Sequence, residues 1–213
     1  QLNQGRSDLA EESLQNSILQ FEQAGRGESP PAVQAFSHLG LVYMSQGKYA
    51  QAQEHLHRAL SFRQTGKHAN ELIAATYNDL GLVYSQTDKD KALDYFEQAE
   101  KMYATLYGNQ HPKIAIANIN TGIIYRDLEL YGDAVNNFET ALRIWNTVYS
   151  KPHPAKAIAL YNLGQTHVSL GDQKSAMAFY EQARKMYEEC YGAHHPEVAL
   201  VLNAIGNLQL AGS

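Results

Sequence analysis

The chain has 213 residues, 44% of them hydrophobic, and 22 acidic against 17 basic side chains give a net charge of −5. The two signs are interspersed, which disfavours a nucleic-acid backbone as partner, and no apolar run approaches the roughly 18 residues a membrane helix needs. The single cysteine, Cys190, excludes an internal disulfide framework and suits a reducing, cytoplasmic compartment.

In chain order, residues 1–5 read as the tail of one helix and residues 7–23 as the next, since Gly5 lies 42 residues before the turn glycine Gly47. Gly25-Arg26-Gly27 closes that segment. Ser29-Pro30 opens a helix over 31–45, followed by the turn Gln46-Gly47-Lys48 and a helix over 49–65. The loop 66–70 carries no proline. A second hairpin spans 71–107, with an inner turn at Thr87-Asp88-Lys89-Asp90 that is one residue shorter than the others. A third spans 112–149 and has Ser150 where its neighbours have glycine. A fourth spans 154–191 and turns at Gly171-Asp172. After His195-Pro196 one further helix runs toward Ala211.

Self-similarity at a fixed period fixes this reading. Gly40, Gly81, Gly122, Gly164 and Gly206 are spaced by 41, 41, 42 and 42 residues, and Ala10, Ala52, Ala92, Ala134 and Ala176 by 42, 40, 42 and 42. Four residues after each alanine, on the same helix face, stand Leu14, Leu56, Phe96, Phe138 and Tyr180. The expected organisation is one array over 1–213: a half repeat 1–27, repeats 28–68, 69–109, 110–151 and 152–193, and a half repeat 194–213. It should hold about ten antiparallel helices of about 13–18 residues, without strands, stacked as a right-handed superhelix.

The junctions between repeats carry their own punctuation. Tyr107-Gly108 and Tyr191-Gly192 place glycine where a helix stops, because glycine takes the left-handed conformation cheaply. Pro112, Pro154 and Pro196 follow at first-turn positions that need no amide hydrogen. The residues ahead of these starts are Ser29, Asn70, His111, His153 and His195. Ser and Asn are preferred N-caps, and the histidines hold the same slot.

Leu-Gly-x-x-Tyr on a first helix, then Ala-x-x-x-aromatic-x-x-Ala on a second, resembles the tetratricopeptide repeat. It stands here as Leu39-Gly40…Tyr43…Ala52…Leu56…Ala59 and as Leu80-Gly81…Tyr84…Ala92…Phe96…Ala99. It continues as Gly122…Tyr125…Ala134…Phe138…Ala141 and as Leu163-Gly164…His167…Ala176…Tyr180…Ala183. The long period, with Tyr-Gly-x-x-His-Pro between repeats, is similar to the subclass found in kinesin light chains and many bacterial proteins. The resemblance implies an all-α solenoid whose first helices line a concave face, and a protein-protein interaction scaffold that binds a peptide or partner segment there. A second role implied by reuse of such arrays is the sensory or regulatory arm of a larger enzyme or signalling protein.

On that face the resemblance places candidate ligand-binding residues Asn78, Ile119, Asn120, Arg126, Tyr161, Asn162, Gln165, Asn203 and Asn207. Asparagine amides both donate and accept, so they suit an extended peptide backbone; they equally suit fixing helix contacts within the scaffold. Kinesin light chains carry an asparagine pair at two of these positions, whereas each repeat here keeps one. The chaperone-binding subclass uses lysines in these columns, and none stands there.

No catalytic constellation emerges: the chain has no Gly-rich phosphate loop, no Gly-x-Ser-x-Gly elbow and no His-Glu-x-x-His. The expectation is a non-enzyme without cofactor or metal. His111, His153 and His195 recur at 42 residues, but successive repeats lie about 10 Å apart, while zinc holds its ligands at about 2 Å. Trp145 shares a column with Tyr103 and Tyr187, which makes it scaffold, and Cys190 reads as packing near a helix end. Finally, residues 196–210 carry Val198, Val201, Leu202, Ile205, Leu208 and Leu210, more apolar surface than one neighbouring repeat should cover. The expectation is a chain that continues past Ser213, or end-to-end self-association of the piece.

Overall fold

The structure, a computed structural model, describes residues 2–64 and 71–211. Among them are ten helices and no strands: α1 (Leu2–Gln23), α2 (Pro30–Ser45), α3 (Tyr49–Gln64), α4 (Glu71–Tyr84), α5 (Lys89–Tyr107), α6 (Pro112–Asp127), α7 (Tyr131–Val148), α8 (Pro154–Ser169), α9 (Gln173–Tyr191) and α10 (Pro196–Ala211). The all-α repeat architecture is the one expected. The helices run from 14 to 22 residues, so the longest exceed the expected span. The chain packs as two compact units, residues 1–106 and residues 107–213.

Within each unit, helices pair as hairpins through one recurring device. At Gly81, Gly122 and Gly164 an added Cβ would lie 2.4, 2.7 and 2.5 Å from the rings of Phe96, Phe138 and Tyr180. At Gly40 it would lie 2.7 Å from Leu56. The glycine column therefore exists to admit the large side chain of the second helix, which the missing Cβ lets sink to the backbone of the first. Alanines 52, 92, 134 and 176 are fully buried beside these contacts. Tyr103, Trp145 and Tyr187 are buried as well, as scaffold residues.

The inner turns use a left-handed residue to close the first helix. Gly47 (φ 73°) and Gly171 (φ 76°) lie in that region, and so does Glu129 (φ 61°). The amide of each residue reaches back to the helix (Met44, Val168 and Arg126 carbonyls), and the next amide bonds Tyr43, His167 and Tyr125. Between α4 and α5 the turn differs. Asp88 accepts from the Lys91 amide at 3.1 Å, so Lys89 and Asp90, expected in the turn, form the first residues of α5. Its carboxyl is held below the ordinary value, first by that backbone hydrogen bond.

Three local expectations are corrected. The proposed break around Gly5 is absent, and α1 runs unbroken from Leu2 to Gln23; an interior glycine costs a helix only about 1 kcal/mol and does not by itself end it. Ser29 has the extended backbone of an N-cap (φ −66°, ψ 149°), yet its hydroxyl bonds nothing. The second helical residue, whose amide an N-cap normally engages, is Pro31, which has no amide hydrogen. Third, only part of the α10 face is left open: Val198, Val201, Ile205 and Leu208 are buried, while Leu200, Leu202 and Leu210 are exposed. The expected loop 66–70 and the Asn70 cap lie outside the described residues.

Candidate functional site

In the second unit α6, α8 and α10 are the first helices of their repeats, and each shows the same stripe to solvent. Six residues before the repeat glycine stand Ile116, Ile158 and Leu200, which are 47, 40 and 46% exposed. Aliphatic side chains this open, in register on three first helices, are a surface feature rather than core.

Beside this stripe lies a groove of about 650 Å³, lined by residues of α8 and α10 together with Tyr180 of α9. Its lining mixes apolar side chains (Val168, Leu200, Leu208) with the amides of Gln165, Asn203 and Asn207. Arg126 reaches in from the last turn of α6. Its Nη1 donates to Asn162 Oδ1 at 2.9 Å and to Gln165 Oε1 at 2.7 Å. Gln165 Nε2 in turn donates to the Tyr161 hydroxyl at 3.1 Å, and Asn162 Nδ2 donates to the Ile158 carbonyl at 2.9 Å. The guanidinium is thus fixed by two neutral amide oxygens and pairs with no carboxylate among the described residues.

Tyr180 takes the place that Phe96 and Phe138 hold in the preceding repeats. Burial pushes its phenol up to about 12, and the hydroxyl has no hydrogen-bond partner among the described residues. Its ring packs against Tyr161 at 5.6 Å between centroids.

The residues expected on the concave face are distributed as follows. Arg126, Tyr161, Gln165, Asn203 and Asn207 all line this groove, with the last two exposed. Asn162 is buried, its amide committed to Ile158 and Arg126. Ile119 is buried at 6% exposure. Asn120 sits half-buried on α6, and Asn78 half-buried on α4 in the other unit. Sequence reasoning treated Tyr180 only as scaffold; the signal was a hydroxyl added to a column otherwise filled by Leu56, Phe96 and Phe138.

The recurring histidines have a different use. His111, His153 and His195 each accept from the backbone amide two residues on, Nδ1 to Lys113, Ala155 and Glu197 at 3.3, 3.2 and 3.2 Å. An amide only donates, so Nδ1 is the unprotonated nitrogen and Nε2 carries the hydrogen. Each ring also stacks on the tyrosine that ends the preceding repeat: Tyr107, Tyr149 and Tyr191, at 4.2, 3.7 and 4.2 Å. The stack holds the ring in capping position. Among the described residues no three His, Cys, Asp or Glu side chains gather closely enough to hold a metal ion. Cys190 is a free, half-buried thiol, which burial pushes above its ordinary value. No described helix is long and apolar enough to cross a membrane.

The family model for the tetratricopeptide repeat matches residues 31–105, 72–147 and 113–189, three overlapping windows that start 41 residues apart. The chain belongs to the tetratricopeptide-repeat family. No curated protein matches its sequence. Among solved structures it is similar to BtubC (BKLC) from P. vanneervenii, with TM-score 0.78 and 19% identity over 98% of this chain and 82% of that one. It is also similar to a putative kinesin light chain with nearly identical repeats from Podosopora anserina, with TM-score 0.71 and 17% identity over 84% and 86%. MamA follows at TM-score 0.59, 21% identity, and 82% and 89% coverage. At these identities the likeness is one of fold.

Proposed function

We propose that this tetratricopeptide array is a protein-interaction scaffold whose second unit receives a peptide or partner segment in the groove between α8 and α10. The observation that carries the reading is the groove itself. It is concave, about 650 Å³ in volume, and combines aliphatic side chains with amides that can meet a peptide backbone, the mixture typical of ligand sites. The neighbouring stripe of Ile116, Ile158 and Leu200 extends the apolar surface on which a longer partner would rest.

The test uses a library of acetylated, amidated peptides presented to the full chain. Asn207→Trp fills the groove from an exposed position and should abolish retention. Asn146→Trp, also exposed but on α7, should retain it. Retention that survives Asn207→Trp, with the helical circular dichroism unchanged, would place binding elsewhere.

A further inference from the structure

Helix α3 of the first unit carries two histidines, His55 and His57, whose spacing puts them on different sides of the helix. His55 stacks on Phe36 and Tyr43 of α2, at 6.0 and 5.3 Å between ring centroids. Its Nδ1 is buried without a hydrogen-bond partner among the described residues. His57 turns to the next repeat. Its Nε2 lies 3.1 Å from the hydroxyl of Tyr84 on α4, and its ring meets Tyr84 and Tyr95 edge-on at 6.1 and 6.0 Å. One imidazole thus joins α3 to its hairpin partner, and the other joins it to α4 and α5.

The same aromatic rings already carry cations. The Arg58 guanidinium lies 4.3 Å from the centre of the Phe36 ring, Lys48 Nζ 5.3 Å from that of Tyr43, and Lys91 Nζ 5.3 Å from that of Tyr84. A charged His55 would share its rings with Arg58 and Lys48, and a charged His57 would share Tyr84 with Lys91. The nearby carboxylates are engaged with these cations: Glu22 with Arg58, Glu11 with Lys48, Asp88 with Lys91. Asp94 acts on the Tyr95 phenol. A charged imidazole also bears a hydrogen on each nitrogen, and at Nδ1 of His55 nothing accepts it. Desolvation lowers both histidines from the ordinary value of 6.5; Glu54 partly offsets this at His55, while Arg58 and Lys91 add to it at His55 and His57.

We propose that α3 is an acid-labile clasp: its neutral histidines hold α2 on one side and α4 and α5 on the other, and their protonation releases both contacts. Because the folded state favours the neutral rings, the stabilisation is whole above about pH 6.5 and is lost as the pH falls below it. Mild acid would then open the first unit locally, uncovering the buried Ala52, Leu56 and Leu60 of the same helix.

The test is hydrogen exchange on the full chain, corrected for intrinsic exchange, from about pH 7.5 to about pH 5.5. Opening of the α3 amides should rise severalfold as the pH falls, and the double variant His55→Gln, His57→Gln should abolish that rise. Glutamine at 57 can still bond the Tyr84 hydroxyl. Should the double variant fail to fold, Lys91→Gln decides in its place: it removes the cation beside His57 from an exposed position and should shrink the rise. Ring-nitrogen NMR of the unaltered chain gives a separate reading, in which His55 takes up its proton below 6.5. Exchange in α3 that is flat with pH, a rise undiminished in these variants, or a His55 ring that charges at or above 6.5 would overturn the clasp.

Discussion

The interior of each hairpin and the junction between hairpins are held together by different physics. Inside a hairpin the contact is steric: a backbone without a Cβ at Gly81, Gly122 or Gly164, and a ring sunk against it. At a junction the contact is polar and local: a left-handed glycine, a tyrosine–histidine stack, and a histidine nitrogen on a helix amide. Packing contacts are many and cooperative, so a single lost ring is felt by every neighbour. Caps are few and each stabilises one helix end, so their loss should stay local. The junction at 149–154 shows how far the second kind can bend. Ser150 replaces the stop glycine, α7 ends one residue early at Val148, and Tyr149 turns extended (φ −110°, ψ 108°). Lys156, buried in a column filled elsewhere by Ala32, Ile73, Ile114 and Val198, donates from Nζ to the Tyr149 carbonyl at 2.5 Å. The Lys156 amine thus meets a carbonyl at a helix end that no left-handed glycine closes.

The contrast can be broken most sharply in the interior. Phe138→Ala removes a fully buried ring and should cost about 3–5 kcal/mol in denaturant unfolding; a loss below about 1 kcal/mol would mean that the hairpin does not depend on this contact. The glycine column offers a paired experiment of opposite sign. Gly122→Ala would press a methyl group to 2.7 Å from the Phe138 ring, for a cost of about 1–3 kcal/mol. Gly206→Ala meets nothing within 4 Å, and should raise stability by roughly 0.5–1 kcal/mol through helix propensity. Equal effects at the two sites would refute the steric account.

The most local effect belongs to a junction. His153→Ala removes the cap on Ala155 and should cost about 1 kcal/mol, with hydrogen exchange accelerated in the first turn of α8 only. His153→Asn, which can accept the same bond, should recover most of it; failure to do so would assign the histidine's contribution to its stack on Tyr149 instead.

Several of these features were legible in the chain itself. The glycine, alanine and aromatic columns fix the hairpin count and pairing, because a 42-residue recurrence of small and large residues has one dense packing solution. The stops at Gly108 and Gly192 and the starts at Pro112, Pro154 and Pro196 follow from backbone sterics, which are local and therefore written in two or three residues. Of the groove, the resemblance implied the first-helix positions, and five of the nine candidate residues stand along it.

What only the tertiary structure decided depends on more than one repeat at a time. Glu129 takes the left-handed turn position that Gly47 and Gly171 fill, which its residue type does not announce. Nothing in the order of residues says that Asn162 is spent on Arg126 and Ile158 while Asn203, at a neighbouring offset, is exposed. Nor does it say that Tyr180, a core column residue, borders a groove. Those outcomes are set by which side chain of the adjacent helix arrives within hydrogen-bond reach. The sequence determined the repeat, since that rests on local sterics and periodic burial; the fold decided which polar groups remain available, since that rests on distances between residues some 36–39 positions apart.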